Sequence, residues 1–76
     1  MYWNERISVD PGIMGGVPCI KGTRIPVATV VKLVAQGETP LEVTRHYPHI
    51  EVDDVRAALC LAAESITDRA LLVSTK

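Results

Sequence analysis

Hydrophobic residues recur with helical spacing immediately after the proline at position 26. Four valines occupy positions i, i+3, i+4 and i+7 of one stripe: Val27, Val30, Val31 and Val34. Gly37 follows where a helix commonly ends, because glycine readily adopts the left-handed backbone conformation of that position. The pattern predicts a first helix over residues 27–37.

A capping sequence follows the first helix. Thr39 is placed as N-cap, Pro40 as the first helical residue and Glu42 as the residue that completes a capping box. Pro48 ends the segment, because proline cannot continue a helix. The sequence predicts a short second helix over residues 40–47.

A third helix is predicted over residues 52–69, with Asp53 and Asp54 favourably placed at the positive end of its dipole. Its main apolar stripe comprises Val52, Val55, Leu59, Ala62, Ala63 and Ile66. Further apolar residues on the other faces are Ala57, Ala58, Cys60 and Leu61. A helix that is apolar on every side is buried on more than one side, so we expect a second protein chain to cover it.

The first 26 residues have a different character, with four of the five glycines. Residues 6–9 alternate polar and apolar side chains, as in a half-buried strand, and residues 18–20 form a second extended piece before a Lys21-Gly22 turn. The predicted fold is mainly α: a single domain over residues 1–76, with an extended β arm or hairpin over 1–26, three helices, and a tail over 70–76.

Composition favours association with another chain. A domain of 76 residues with 47% hydrophobic residues and no Phe must build its core from small aliphatic side chains. Such domains often gain stability by binding a copy of themselves or a partner, and we expect a homodimer or higher oligomer. The net charge of −1 excludes a global attraction to nucleic acid. The absence of a leader, a long apolar run and a dense cysteine framework favours the cytoplasm and excludes a membrane protein.

A long motif in the chain resembles a known family. The matching residues are Asp10-Pro11-Gly12, then Gly15-Gly16-x-Pro18-x-Ile20-x-Gly22-Thr23-Arg24-Ile25-Pro26-Val27, and then Gly37, Pro40, Glu42-Val43, Tyr47-Pro48 and Val55-Arg56-Ala57-Ala58-Leu59. The chain resembles the domain of unknown function 433, found in bacterial and archaeal antitoxins. The family usually has Ser or Thr followed by Pro where this chain has Glu51-Val52, so a weaker third-helix cap is expected.

The resemblance implies a homeodomain-like helix-turn-helix domain that acts as the antitoxin half of a VapB/VapC-like pair. Its partner would resemble a PIN-domain ribonuclease, which the antitoxin holds inactive. Such antitoxins commonly also repress their own operon, so operator DNA is a second expected partner. The resemblance implies no cofactor.

The loop Lys21-Gly22-Thr23-Arg24 has two interpretations. It could touch phosphate or a partner, or Arg24 could tie the arm to a helix carboxylate such as Asp53 or Asp54. We favour the structural role, because glycines and prolines dominate the motif residues Gly15, Gly16, Pro18, Gly22, Thr23, Arg24 and Pro26.

DNA readout through the third helix is disfavoured, because acidic residues crowd its first turn and phosphates would repel them. If DNA is bound, the candidate residues are Lys21, Arg24, Lys32, Arg45 and Arg56; the alternative is that these are ordinary solvated charges.

Metal binding and catalysis have little support in the sequence. His46 and His49 flank a proline, and Cys19 and Cys60 are isolated, so we expect no metal site. No nucleophile stands beside a plausible base, so the chain is not expected to be an enzyme.

The C-terminal residues carry more apolar side chains than a small core needs. They could form a toxin-binding arm in which Arg69 reaches an acidic nuclease site, a role borrowed from VapB-like antitoxins; the alternative is a frayed helical turn. The candidate partner-binding residues are Cys60, Leu61, Ile66, Arg69, Leu71, Leu72 and Val73.

Overall fold

The computed structural model describes residues 3–66, which form three helices and a small antiparallel sheet. The strands are β1 (Ile7–Ser8) and β2 (Cys19–Ile20), and the helices are α1 (Val27–Ala35), α2 (Pro40–His46) and α3 (Val52–Ser65). Two 3-10 turns, Trp3–Glu5 and Met14–Gly16, precede the two strands. The predicted mainly helical class with a β arm is confirmed.

The β arm pairs with itself. Ile7 lies opposite Ile20 and Ser8 opposite Cys19, and the N–H of Lys21 donates to the carbonyl of Arg6 at 2.8 Å. After β2 the chain reverses through Gly22, whose φ of 79° favours glycine. The arm therefore delivers Ile7 and Ile20 to the core, where both are buried.

Helix α1 ends as the glycine signal predicted. The N–H of Gly37 donates to the carbonyl of Val34 at 3.0 Å, and the N–H of Glu38 donates to that of Leu33 at 3.1 Å. This is a Schellman ending, with Gly37 at a φ of 107°. The helix itself stops at Ala35, two residues before the predicted boundary, because Gln36 and Gly37 belong to the cap.

The predicted capping box at the start of α2 is confirmed. The N–H of Glu42 donates to Oγ1 of Thr39 at 3.1 Å, and the N–H of Thr39 donates to Oε1 of Glu42 at 2.8 Å. The hydrogen bond from the Thr39 backbone lowers the pKa of the Glu42 carboxyl below its usual 4.5.

Acid is therefore expected to weaken the α2 cap. Because the folded pKa of Glu42 is depressed, its contribution to stability is complete above pH 4.5 and is lost as the pH falls through the folded value. In Glu42→Gln, an amide oxygen still accepts the bond but does not titrate. Chemical unfolding at a series of pH values measures the free energy of unfolding of wild type and Glu42→Gln. The difference between them should be constant above about pH 5 and should shift in favour of the variant in acid.

The matched control is Glu5→Gln, which removes an exposed carboxylate from the first 3-10 turn. The free energy of unfolding of each variant is compared with that of the wild type at every pH. If Glu42→Gln and Glu5→Gln give the same difference throughout, the α2 cap does not respond to acid.

Helix α3 starts at Val52 as predicted but ends earlier than predicted. Ile66 has an extended backbone (φ −114°, ψ 101°), so α3 ends at Ser65, and residues 67–69 of the predicted helix lie outside the described part of the chain. Two β-branched residues, Ile66 and Thr67, follow the boundary, and their restricted side chains lower helix propensity. At the same boundary the Ser65 hydroxyl donates to the carbonyl of Leu61 at 2.9 Å.

One aliphatic core holds the arm and the helices together. Its buried members include Ile20, Val30, Val43 and Val55, each at most 1% exposed. The other two helices, the first 3-10 turn and β1 pack around α3. At the far end of α3, Nε1 of Trp3 donates to the carboxylate of Glu64 at 2.7 Å. In residues 3–66, no helix combines the length and the hydropathy needed to cross a bilayer.

The apolar middle of α3 is buried by the chain's own residues, whereas the sequence predicted that a second protein chain covers it. Ala57 and Ala58 are both 0% exposed, so no second polypeptide is needed to bury them. The reason is that the N-terminal arm supplies packing elements in addition to the helices. Two members of the predicted stripe, Ala63 and Ile66, are exposed instead. On α3 itself, the exposed apolar side chains therefore lie at its C-terminal end.

Candidate functional site

A groove of about 470 Å³ opens between α1 and the C-terminal part of α3. Helix α1 contributes one wall, formed by Val27, Ala28, Val31 and Lys32. Helix α3 and its cap residue contribute the facing wall, formed by Leu61, Ala62, Ser65 and Ile66. Eight of the ten residues that line the groove are apolar, so it offers little but apolar surface.

The third side of the groove is the loop before β2, where Val17 and Pro18 lie. Val27 is almost fully buried, whereas Val17 is 40% exposed and Ile66 is 66% exposed. Large apolar side chains around this groove are thus exposed to solvent. Exposed apolar patches of this kind commonly mark surfaces that bind another molecule.

The predicted partner-binding residues are divided by the structure. Leu61 and Ile66 line the groove together, whereas Cys60 is half-buried and does not line it. Four predicted residues lie outside the described part of the chain: Arg69, Leu71, Leu72 and Val73. Two of the predicted residues therefore lie on the α3 wall of the groove, and their role in partner binding stays a prediction.

Sequence reasoning missed the α1 wall and the loop. Val31 belongs to the predicted stripe of α1; it is partly buried, packs against the core and also lines the groove beside the exposed Ala28. The available signal was the i, i+3 spacing of Ala28 and Val31, which widens the apolar face of α1 beyond one stripe. Nothing in the sequence pairs Val17 with that face, because the contact depends on the fold.

The acidic start of α3 is paired with an arginine from the arm. One guanidinium nitrogen of Arg6 lies 3.1 Å from a carboxylate oxygen of both Glu51 and Asp54, and the other lies 3.7 Å from Asp53. The hydrogen bond to Asp54, followed by that to Glu51, raises the pKa of Arg6. The prediction that Arg24 makes this tie was wrong: Arg24 is exposed on the turn, and Arg6 is nearer because β1 packs against α3.

Asp54 also caps α3. Its carboxylate accepts the N–H of Glu51 at 2.8 Å while it pairs with Arg6, so one side chain holds both the helix start and the arm. The side chain of Asp54 is only 13% exposed, which partly shields its contact with Arg6 from water. The Asp54 carboxylate satisfies the backbone N–H of the N-cap residue Glu51, which is the half of a capping box that needs no Ser or Thr.

The glycine-rich motif shapes the arm. Gly15 and Gly16 have φ values of 67° and 89°, and the carbonyl of Pro18 accepts the N–H of Val27 at 2.9 Å. Thr23 closes the following turn, since its hydroxyl donates to the carbonyl of Ile20 at 2.7 Å. The motif therefore places Val17 and Pro18 against the start of α1.

The five candidate DNA-binding residues are all exposed but are distributed over four elements. Lys21 and Arg24 share the turn after β2, and the other three lie one on each helix: Lys32, Arg45 and Arg56. Arg56 pairs with Asp53 at 3.5 Å. Lys32 lines the groove, where it and Ser65 are the polar members of the lining.

The histidines and cysteines do not assemble into a metal site within residues 3–66. Nε2 of His46 lies 2.8 Å and 3.0 Å from the two carboxylate oxygens of Glu38, which ties the end of α2 to the segment after α1. Cys19 is a buried thiol and Cys60 a half-buried one. Among the described residues the groove is the feature with the clearest capacity to bind.

Known proteins resemble this chain over most of its length. The model of a family described as "Protein of unknown function (DUF433)" matches residues 7–62. An uncharacterized protein, y4eO, of Sinorhizobium fredii (strain NBRC 101917 / NGR234) is 33% identical over 54 residues, which are 71% of this chain and 24% of that protein.

The structural comparison gives the same family. The crystal structure of a DUF433 member from Anabaena variabilis ATCC 29413, at 2.00 Å resolution, is similar with a TM-score of 0.71 and 36% identity, over 78% of this chain and 58% of that one. This chain spans about a quarter of the Sinorhizobium relative and little more than half of the Anabaena chain.

Proposed function

The chain belongs to the DUF433 family, and on that basis we propose that it is a protein-binding module of the antitoxin type that catalyses no reaction. One observation carries the proposal: the groove between α1 and α3 is lined by apolar side chains in a domain that otherwise buries its core. Burial of such a surface against a partner is favourable in proportion to the apolar area removed from water.

The partner in this proposal is a PIN-like ribonuclease, which the module holds inactive in the cytoplasm. The proposal includes a homeodomain-like helix-turn-helix architecture, which the VapB/VapC-like resemblance implies and which the presence of three helices supports. Self-association into a homodimer is part of the same proposal, since a domain of this size gains stability from a second copy.

Co-expression with a PIN-like nuclease encoded beside this chain tests the function. We expect a stable complex in which ribonuclease activity is lost. Ala28→Glu should weaken the complex about tenfold or more, because the carboxylate would be desolvated in an apolar groove. Isothermal titration calorimetry of the purified partners measures the change in affinity.

Ala35→Glu is the matched control for Ala28→Glu. Ala35 is also exposed on α1 but does not line the groove, so this variant should bind as the wild type does. Absence of any complex with the nuclease would exclude the proposed function, and equal weakening by Ala28→Glu and Ala35→Glu would place the contact elsewhere.

A DNA-binding repressor is a second candidate, and the Arg6 cluster weakens the main argument against it. Arg6 offsets part of the negative charge of Glu51, Asp53 and Asp54, which was the main argument against docking α3 on phosphates. A gel shift on the promoter DNA of this gene, repeated at rising salt, distinguishes this candidate. Specific binding with a steep salt dependence supports it, and binding that is absent at low salt excludes it.

A further inference from the structure

The α1–α3 groove lies at the point where the chain leaves α3. Ile66 follows the last helical residue with an extended backbone, and its side chain lines the groove and is 66% exposed. The residue that caps the third helix is thus also part of the groove wall. Any segment that continues from Ile66 therefore starts at the groove itself.

The sequence after Ile66 contains one short apolar run between polar residues. Residues 67–69 are polar, residues 74–76 are polar, and the run between them is Ala70-Leu71-Leu72-Val73. Three residues can span about 10 Å. Each helical wall of the groove is between one and two turns long, which is about 8 Å. The polar linker over residues 67–69 is therefore long enough to bring the apolar run back over the groove.

The two helical walls are helix ends, so they carry backbone groups that a peptide segment can bind. The wall on α1 includes the first turn of that helix, and within residues 3–66 the N–H of Ala28 has no acceptor. The wall on α3 is its last turn, where carbonyl groups have no N–H of a following turn to accept. A segment laid in the groove can therefore pair part of its backbone while its apolar side chains leave water.

Size and tethering favour the chain's own segment over another molecule. Ten residues line the groove, whereas a stable protein–protein interface uses about 20–30 residues on each side. A second copy or a partner protein therefore needs additional surface beyond the groove. A segment joined through three residues needs no such area, because its effective concentration is in the millimolar range. A second copy at micromolar concentration is about a thousandfold more dilute.

We propose that residues 70–73 fold back onto the α1–α3 groove in the free chain and place their leucine and valine side chains on Val31 and Leu61. The inference goes beyond the proposed function, because it concerns the chain without a partner. A partner that binds the groove has to displace this segment. Its apparent affinity is then reduced in proportion to the fraction of chains in which the groove is open.

Nuclear Overhauser effects (NOEs) between methyl groups test the contact directly in the full chain. We expect NOEs from the methyl groups of residues 71–73 to those of Val31 and Leu61. Their absence overturns the inference. Isotope-filtered spectra of a mixture of labelled and unlabelled chains separate contacts within one chain from contacts between two. NOEs that arise only between chains would place a second copy in the groove and would also overturn the inference.

Two pairs of variants control for the apolar contact. Leu72→Glu should weaken closure of the groove about tenfold or more and remove the NOEs, because its carboxylate would be desolvated against apolar side chains. Ser74→Glu adds the same charge outside the apolar run and should keep the NOEs. On the groove wall, Ala28→Glu should remove them and Ala35→Glu should keep them. If all four variants keep the NOEs, or all four lose them with unchanged circular dichroism, the inference is wrong.

The nuclease experiment separates the failure of this inference from the failure of the proposed function. A nuclease complex that forms although the free chain gives no NOEs between the segment and the groove overturns the inference and leaves the proposed function in place. NOEs in the free chain together with no nuclease complex support the inference and exclude the proposed function.

Discussion

Replacing Ile20 with alanine is expected to destabilise the folded chain by about 2–5 kcal/mol. Ile20 is 1% exposed, is among the largest fully buried side chains, and lies opposite Ile7 in the sheet. Truncation removes apolar atoms from the core and leaves a cavity that close-packed neighbours fill only in part. A domain of this size has a total stability on the order of 4–11 kcal/mol, so the loss is a large share of it.

Thermal and urea unfolding followed by circular dichroism measure the effect. The melting temperature of Ile20→Ala should fall by roughly 8 °C or more, given the usual relation between stability and melting temperature for small domains. Ile20→Val, which removes one methylene, should cost only about 0.5–1.5 kcal/mol.

Val9→Ala is the matched control from the same arm. Val9 follows β1 but is 59% exposed, so its truncation should change stability by about 0.5 kcal/mol or less. If Ile20→Ala proves no more harmful than Val9→Ala, the β arm contributes nothing to the core and the helices fold without it.

Local chemistry made the helix boundaries predictable. The capping residues of α2 lie within four positions of one another, and the ending of α1 depends on the conformational freedom of Gly37. Such signals act between neighbours in the chain and need no knowledge of the fold. The end of α3 was predicted less well, because no glycine or proline marks it.

Long-range contacts were the part that the sequence could not supply. Arg6 and Arg24 are both basic residues of the arm, and only the packing of β1 against α3 decides which one reaches Asp54. The groove depends in the same way on the fold, since its lining comes from a loop and two helices that are separated in sequence. Periodicity identified apolar faces but not which of them remain open.

Long-range contacts also explain why the sequence wrongly predicted a second chain over the middle of α3. Counting apolar residues around the helix correctly indicated burial on several sides, but it could not show that the N-terminal arm supplies one of those sides. Ala57 and Ala58 are small, so neighbouring backbones approach closely and enclose them completely. Toward Leu61 the enclosure ends and the groove begins.

A leucine at position 58 is therefore expected to destabilise the isolated chain by about 1–3 kcal/mol, because the added atoms have no space in a closed core. A leucine at position 62, one turn further along α3, should change stability by about 0.5 kcal/mol or less, because its side chain enters the open groove. Urea unfolding of Ala58→Leu and Ala62→Leu compares one chemical change at two sites of the same helix.

The pair of variants also decides whether α3 is enclosed by its own chain or by another. Unfolding measured at two protein concentrations separates stability of the single chain from stability gained by association. If Ala58→Leu is tolerated as well as Ala62→Leu, the surface at Ala58 is open in the isolated chain and a second polypeptide must cover it. If only Ala62→Leu is tolerated, the apolar surface left for a partner starts at the groove.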